Sequence, residues 1–476
     1  MSVGKGKEQR ENLDGGGQGT RAVWCRSLAH GTEPIDDSLM GWLRIFLSNN
    51  RLYRNRCLWS SSKLPLSMGP SSSTSGVTTE MLSCDSTSIH FPLDSDEPSI
   101  TSPETLQALR AASYQLKEKK RCVVFPTETV YGLGALALDP DASRRIFTTK
   151  NRPPDNPLIV HVSSMTMLHR LLPPDYQIPK HYEPLIKRFW PGPLTLLFPN
   201  TTGRVPDIIT AGHPTVAIRM PSHPIARALI AIADVPLAAP SANSSGRPSP
   251  TRAEHVYDDL KGKVGIILDG GPCSVGLEST VVDGLHEDNS LRVLRPGGIT
   301  VEDIEKALAE DLAGSGIPVP KVLVHKRDYK DEDMEQAPTT PGMKYRHYSP
   351  TVPVTLLCTH SIPPKDTTPT PPRDYFSSLN KLAKGPAAPV KVGLLLPSDS
   401  PLRGFAEDVP GVEFHHFALG STSDPLTTAQ RLFDGFLTLE KLGVDLILIE
   451  EVEEDREGLA IMNRVRKAAT ELRWLG

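Results

Sequence analysis

Short apolar runs alternate with helical stretches along most of this chain, and this alternation is the feature that most restricts its fold. At Ser102 the sequence Ser-Pro-Glu predicts an N-cap, a proline in the first helical turn and a helix to about Lys120. Residues 122–125 then predict a short strand that ends at Pro126. An alternation of this kind predicts an α/β domain built on one sheet.

Later runs extend the same pattern. We predict strands at residues 157–162, 194–198, 215–218 and 265–268, a helix capped by Ser222 through Ala233, and a last helix from Thr300 to near Gly314. Residues 279–282 and 291–295 are joined by a polar turn, which predicts an antiparallel hairpin. The sheet should therefore be mixed and twisted.

A second α/β unit follows a connector rich in Pro, Gly and charge. Strands are predicted at 354–357, 392–396 and 446–449, with helices at 427–442 and 459–472 between and after them. Strand and helix in alternation predict a smaller, Rossmann-like domain with a parallel sheet. The expected organisation is a disordered tail at 1–100, a catalytic domain at 101–314, a linker or lid at 315–350 and a C-terminal domain at 351–476.

The first hundred residues lack a sustained apolar period, which predicts disorder. Residues 40–79 carry five basic residues and no Asp or Glu, the composition of an amphipathic mitochondrial transit peptide that would need initiation at Met40. The alternative is a plain disordered tail. We expect a cytoplasmic protein, with a mitochondrial isoform if the transit peptide is used.

Charge and cysteine content narrow the function classes. Net charge is only −4, and residues 100–312 hold 23 basic and 23 acidic side chains, so a small-molecule substrate is favoured over a wide phosphate footprint. An RNA-binding module without ATP turnover, or with a local tRNA contact, stays open as an alternative. The six cysteines include no CxxC pair, which argues against a zinc site or disulfide framework and for an intracellular protein. The sequence contains no run of about 18 apolar residues, so no membrane-spanning helix is predicted.

The first chemical motif follows the strand at 122–125, where residues 126–134 bring hydroxyls, a carboxylate and glycines into a turn. Residues 132–137 fit a relaxed GxGxxA dinucleotide fingerprint. A fingerprint needs a helix that begins at the glycines, whereas this run continues into Asp139 and Pro140. We interpret it as a glycine turn between strands and rank an NAD-dependent oxidoreductase low.

Two further motifs carry polar or charged side chains that could bind a ligand. Lys150 and Arg152 are two cations in a segment stiffened by prolines, suited to a triphosphate through a point charge and a planar guanidinium. Ser241 and Asn243 follow a buried-looking run, so that short hydrogen-bonding side chains emerge at a strand end. Taken singly, the first pair is also what a solvated loop contains, and the second is what a capped turn contains.

The motifs in their order along the chain resemble the YrdC family of threonylcarbamoyl-AMP synthases. The resemblance covers about residues 102–312 and rests on PTETVYGLGA, KNRPPDNPLIVH, FWPGPLTLL, VAIRMP, APSANSSGRPSPT, LEST and RPGG. PGMKYRHYSP and the second α/β domain are similar to the long, two-domain branch. Related domains occur in carbamoyl-transferring maturation enzymes, but this chain lacks the zinc-finger cysteines those enzymes carry.

The resemblance implies a nucleotidyltransferase that acts in tRNA processing. It would join L-threonine, bicarbonate and ATP into L-threonylcarbamoyladenylate and pyrophosphate, for the N6-threonylcarbamoyl modification of adenosine 37. The product would pass to a separate tRNA threonylcarbamoyl-transferase complex. No tightly bound cofactor or dedicated metal ligand is implied, and Mg²⁺ would arrive with the ATP phosphates.

Site residues are likewise implied by the resemblance. Lys150 and Arg152 would be catalytic. The residues expected around threonine are Thr129, His161, Arg219, Ala239 and Ser279. Those expected around the nucleotide are Arg152, Asn156, Thr215, Ser241, Asn243, Ser249, Arg295 and Tyr345. The segment 339–350 is predicted to fold over the nucleotide as a lid, with a plain interdomain tether as the alternative.

Overall fold

The computed structural model describes residues 77–331, 339–340, 347–383 and 388–476, all within one compact unit, Thr74–Gly476. Residues 40–76 of the transit peptide predicted at 40–79, Tyr345 and half of the lid segment predicted at 339–350 lie outside the described residues. Among the described residues, no helix combines the length and apolar character needed to cross a bilayer.

The first domain is built on a large mixed sheet. Its strands and those of a small hairpin are β1 Glu80–Ser83, β2 Ile89–His90, β3 Ser99–Ile100, β4 Val123–Phe125, β5 Gly132–Leu136, β6 Val160–His161, β7 Leu194–Pro199, β8 Thr215–Arg219, β9 Leu237–Ala238, β10 Ile266–Asp269, β11 Thr280–Asp283, β12 Ser290–Arg295 and β13 Lys321–Val324. The 11-stranded sheet has the order β1-β10-β4-β5-β9-β6-β8-β7-β11-β12-β13, and β2 pairs with β3 separately. Parallel and antiparallel pairs both occur, which confirms the predicted mixed sheet.

Helices cover this sheet. They are α1 Pro103–Lys117, α2 Pro140–Lys150, α3 Met165–Leu171, α4 Tyr182–Phe189, α5 Asp207–Thr210, α6 Pro224–Ala233, α7 Ala253–Leu260 and α8 Val301–Leu312. Ser102 caps α1 as predicted, because its Oγ accepts from the Thr105 amide at 3.1 Å. The cap predicted at Ser222 is wrong, since His223 Nδ1 accepts from the Ile225 amide at 3.3 Å. Thr300 caps α8 as predicted.

Order begins earlier than the sequence predicted. β1 pairs in parallel with β10, and Cys84 and Ile89 are buried in the first domain's core. The predicted disordered tail at 1–100 is therefore wrong for residues 77–100. The strand is four residues long and mostly exposed at the sheet edge, so it has no apolar period that sequence reasoning could detect.

The glycine motif is a strand rather than the predicted turn. β5 runs antiparallel to β4, pairing Phe125 with Gly132 and Val123 with Gly134. A Cβ on Gly134 would lie 2.5 Å from the Phe125 ring, so glycine is required there by close packing. The rejection of a dinucleotide fingerprint agrees with this geometry, since no helix begins at the glycines.

The first domain also extends further than predicted. β13 pairs in parallel with β12, from Ser290 with Lys321 to Val293 with Val324. The boundary predicted at residue 314 is therefore about one strand too early. The connector after α8 hides this strand from sequence reasoning because it is short and surrounded by charge.

The second domain has the predicted parallel sheet, and helices cover both of its faces. Its elements are β14 Val354–Cys358, α9 Pro372–Ser378, β15 Val390–Leu396, β16 Val412–Ala418, α10 Pro425–Lys441, β17 Leu446–Glu450, α11 Arg456–Ala468 and β18 Glu471–Trp474, and the order is β16-β15-β17-β14-β18. The predicted helix at 459–472 is too long, because its last residues form β18. β16 was not predicted, since it is a polar edge strand with few buried residues.

The two faces of the second sheet are packed differently. One face is closed by α9 and two 3-10 turns, with Phe376, Leu394 and Leu448 in its core. The other face packs on α10 and α11, and its core includes Val130 and Leu277 from the first domain. The second domain is thus joined to the first through one apolar core on that face.

Candidate active site

The sheet register brings several predicted residues to one edge of the first domain. His161 at the end of β6 pairs with Arg219 at the end of β8, and Arg219 pairs with Thr195 at the start of β7. Ser279 immediately precedes β11, and the first residue of that strand, Thr280, pairs with Leu194. Arg295 ends β12 opposite Val281. Residues separated by more than a hundred positions in sequence therefore meet at a common edge.

A cavity of about 60 Å³ lies at this edge. The predicted residues that line it are Thr129, Arg152, His161, Arg219, Ala239, Ser241, Asn243, Ser249, Ser279 and Arg295. His347 and Tyr348 of the linker line it as well. Drug-sized ligands occupy roughly 300–1,000 Å³. In this conformation the cavity is therefore too small for a nucleotide, which could enter only if part of the wall moved.

Arg219 is already paired with a protein carboxylate. Its guanidinium lies 2.5 Å from Glu128 Oε1 and donates to Thr129 Oγ1 at 2.9 Å, and both charged side chains are buried. The Ser222 amide donates to Glu128 Oε2 at 3.1 Å. Sequence reasoning missed Glu128, and the geometry shows that it holds Arg219 in place. The predicted pairing of Arg219 with the threonine carboxylate stays a prediction.

His161 is a neutral polar group in this wall. Its Nδ1 lies 3.2 Å from the Ile159 carbonyl oxygen. Burial, reinforced by the charge of Arg219, lowers the pKa of His161 to about 3. The imidazole can therefore act as a hydrogen-bonding group near neutral pH but not as a cation.

Lys150 braces the loop that carries Ser241 and Asn243. It ends α2, is buried, and its Nζ donates to the backbone carbonyls of Ser241 and Asn243. Burial, followed by the neighbouring charge of Arg152, lowers the pKa of Lys150 well below its ordinary value. Lys150 is not among the cavity-lining residues, so the structure places it behind the wall rather than in it.

Arg152 does line the cavity. Its Nε donates to the Asn156 carbonyl at 3.2 Å and its NH2 group donates to the Pro157 carbonyl at 3.0 Å. The side-chain Oδ1 atoms of Asn156 and Asn243 are buried without a hydrogen-bond partner. Such acceptors cost roughly 1–3 kcal/mol each unless a donor is supplied, and a ligand N–H group can supply one to Asn243, which lines the cavity.

Ser279, Arg295 and Ser249 form a further part of the cavity lining. Arg295 donates to the Ser279 carbonyl at 2.9 Å and to its hydroxyl at 3.2 Å. Ser249 donates to Glu278 Oε1 at 2.7 Å. Glu278 was not among the predicted site residues, so its place in the cavity lining was missed. Its position within the LEST motif, two residues before β11, was the available signal.

Asn156 and Thr215, both predicted to meet the nucleotide, are not among the cavity-lining residues. Thr215 is the first residue of β8, four positions before Arg219, which places it about 13 Å away along the strand. Tyr345 lies outside the described residues. In the described part of the chain, no cluster of three or more His, Cys, Asp or Glu side chains is arranged to hold a metal ion.

Comparison with known families accounts for both domains. The Sua5/YciO/YrdC family model, described as Telomere recombination, matches residues 115–297. The family model described as Threonylcarbamoyl-AMP synthase, C-terminal domain, matches residues 299–470. The two matches meet inside the region that the structure assigns to the first domain, because α8 and β13 pack on the first sheet.

Individual relatives are similar over most of their length. Threonylcarbamoyl-AMP synthase of Schizosaccharomyces pombe is 43% identical, covering 80% of this chain and 92% of the relative. The Pyrococcus abyssi enzyme of that name is 42% identical, covering 76% and 94%. The crystal structure of P. abyssi Sua5 complexed with L-threonine superposes with a TM-score of 0.63 at 37% identity, covering 83% of this chain and 100% of that one. With both domains matched and the site motifs gathered around one cavity, this chain belongs to the threonylcarbamoyl-AMP synthase family.

Proposed function

We propose that this protein forms L-threonylcarbamoyladenylate and pyrophosphate from L-threonine, bicarbonate and ATP. The observation that carries the proposal is the convergence of Arg152, Arg219 and Arg295 on one buried cavity. Three guanidinium groups removed from water suit a small substrate with several negative charges. A phosphate backbone of RNA would instead require exposed cations.

The chemistry needs no protein nucleophile. The threonine amine and bicarbonate combine with loss of water to give a carbamate. A carbamate oxygen then attacks the α-phosphorus of ATP, and the bond from that phosphorus to the bridging oxygen breaks as pyrophosphate leaves. Catalysis can rest on positioning the two reactants and on fixed positive charge near the phosphates.

The described side chains divide this work. Arg152 and Arg295 both line the cavity and would meet phosphate charge, while Arg219, Thr129 and neutral His161 line the part assigned to threonine. Lys150 acts as a positioning residue, because it fixes the backbone of Ser241 and Asn243. These assignments make the protein a nucleotidyltransferase.

Mg²⁺ would be held mainly by the ATP phosphates. The carboxylate of Glu278 is engaged by Ser249 and Arg464, and that of Glu128 by Arg219 and the Ser222 amide. Neither is placed to serve as a free metal ligand. The ion would supply additional positive charge at the phosphates.

The linker fits a lid role. Tyr348 is buried, its ring centre lies 5.3 Å from that of Phe433, and it lines the small cavity beside His347. Opening this wall would admit ATP, and closing it would exclude water from a carbamate and an adenylate that both hydrolyse. The product would then pass to a separate tRNA threonylcarbamoyl-transferase complex, in the cytoplasm or, if the predicted transit peptide is used, also in mitochondria.

The test measures pyrophosphate release by the purified full chain with ATP, and detects the adenylate by mass spectrometry. Release should require both threonine and bicarbonate, because no attacking oxygen exists until the carbamate has formed. Equal release without threonine, or release without the adenylate, would overturn the proposal. An ATP-only reaction provides the background rate.

A further inference from the structure

A charged side chain from the second domain reaches the wall of the active site. Arg464 lies on α11 and is completely buried. Its Nε and NH2 groups donate to Glu278 Oε2 at 3.1 and 3.0 Å, and its NH1 group donates to the Pro296 carbonyl. Both partners belong to the first domain. The guanidinium also lies 5.6 Å from the ring centre of Tyr348.

Glu278 connects this arginine to the cavity. One carboxylate oxygen accepts from Arg464, and the other accepts from Ser249 Oγ at 2.7 Å. Ser249 and Glu278 both line the cavity, whereas Arg464 does not. The chain of contacts therefore runs from the second domain, through one carboxylate, to a hydroxyl predicted to meet the nucleotide.

The charges explain why the carboxylate stays ionised. Burial by itself raises the pKa of Glu278, but Arg464, followed by Arg295 and the Ser249 hydroxyl, lowers it to about 2. Other charged or titratable groups that face Glu278 are Lys467 on α11, Lys150 on α2 and Tyr348 in the linker. An ionised carboxylate accepts only, so it fixes the Ser249 hydroxyl as the donor.

Attachment of the second domain to the first does not by itself explain why Arg464 and Glu278 form a buried ion pair. Burying two charges costs desolvation that their attraction often does not exceed, and well-packed apolar residues commonly replace such pairs without loss of stability. The same interface already has an apolar core that contains Val130, Leu277 and Phe433. The ion pair is retained beside that apolar core, and its carboxylate lines the cavity. Its role is therefore better explained as orienting a group of the active site.

We propose that Arg464 is a positioning residue through which the second domain holds Glu278, and thereby Ser249, in the nucleotide wall of the active site. The inference rests on the proposed function. It assigns the second domain a direct part in adenylate formation, exerted across the interface by one guanidinium.

The first experiment compares Arg464→Met with Arg466→Met in steady-state adenylate formation. Arg466 lies two positions along the same helix, is 41% exposed, and pairs with Glu454 of its own domain. Arg464→Met should raise KM for ATP roughly tenfold or more, the factor expected for one lost charge-assisted hydrogen bond. KM for threonine should change less than twofold, and Arg466→Met should resemble the wild type.

The pH profile separates positioning from a structural role. Without Arg464 the pKa of buried Glu278 rises, so KM for ATP in Arg464→Met should acquire an ionisation between about pH 5 and 8 that the wild type lacks. A merely loosened interface would raise KM at every pH without a new ionisation. An unchanged profile together with an unchanged KM for ATP would overturn the proposal.

A double-mutant cycle keeps the inference testable if Arg464→Met folds poorly. Ser249→Ala is measured in the wild type and in Arg464→Lys, which keeps the charge but loses the two-nitrogen geometry. If Arg464 acts through Glu278 on Ser249, the two effects on KM for ATP should be clearly less than additive. Additive effects would overturn the proposal, whereas a wild-type chain that makes no adenylate would overturn the proposed function instead.

Discussion

The two domains place their buried charges differently. The first gathers Lys150, Arg152, Arg219 and Arg295 with their partners at one edge of its sheet. The second has an apolar core on each face of its sheet, buries carboxylates such as that of Glu451, and directs the completely buried Arg464 toward Glu278 of the first domain. The first domain therefore concentrates its buried cations at the cavity, and the second supports that cavity from outside.

Within the described ranges of the chain, only one face of the second domain's sheet packs against the first domain. The α10 and α11 face shares a core with Val130 and Leu277 of the first domain, whereas the α9 face is closed by residues of the second domain itself. Substitutions on the α9 face should thus affect stability alone. Substitutions among the buried charges of the first domain should affect turnover more than stability.

The largest expected effect is on stability, in the α9 core. Phe376→Ala removes a completely buried ring that packs near Phe405 and Phe414. The free energy of unfolding should fall by about 3–5 kcal/mol, while kcat at a temperature below the transition stays unchanged. Denaturant unfolding with parallel activity assays measures both, and exposed Leu382→Ala is the control. A large fall in kcat of the folded variant would remove the distinction between the two faces.

Arg152→Ala should show the reverse pattern. If Arg152 meets the reacting phosphate as proposed, its loss should lower kcat about 100-fold, or roughly 2.7 kcal/mol of activation free energy. The melting temperature should change little by comparison, because the desolvation cost of burying the guanidinium offsets much of the stability that its hydrogen bonds contribute. Arg144→Ala, an exposed change on α2, is the matched control. Full activity in Arg152→Ala would exclude the residue from the site.

The smallest expected effect is the loss of folding stability at acid pH that the burial of His161 causes. Its pKa in the folded protein is lowered from 6.5 to about 3, so the unfolded chain binds a proton that the folded chain does not as pH falls below 6.5. Between pH 7 and 5 this should cost the folded state about 2 kcal/mol. His161→Gln should lose that much less stability over the same interval, measured by chemical denaturation.

Exposed His169→Gln supplies the control for that comparison and should lose as much stability as the wild type. Equal pH slopes for His161→Gln and the wild type would mean that His161 takes up a proton in the folded state. The wall around threonine would then be more open to water than the structure indicates.

Sequence reasoning succeeded where the signal is local or ordered along the chain. The Ser102 and Thr300 caps, the hairpin of β11 and β12, and the parallel second sheet are confirmed. The family and the function class followed from the ordered motifs, and the comparisons confirm the family. Ten of the predicted site residues line one cavity, although the role of each stays a prediction.

What the sequence by itself determined was therefore periodicity, caps and the order of motifs, since these depend on neighbours within a few residues. Tertiary structure alone decided which distant groups meet. β1 is ordered by pairing with β10, and Arg219 is held by its ion pair with Glu128. Glu278 is held by Arg464, which is 186 positions away. The physical reason is that a buried charge is tolerable only beside its partner, and the fold, not the local sequence, determines where that partner lies.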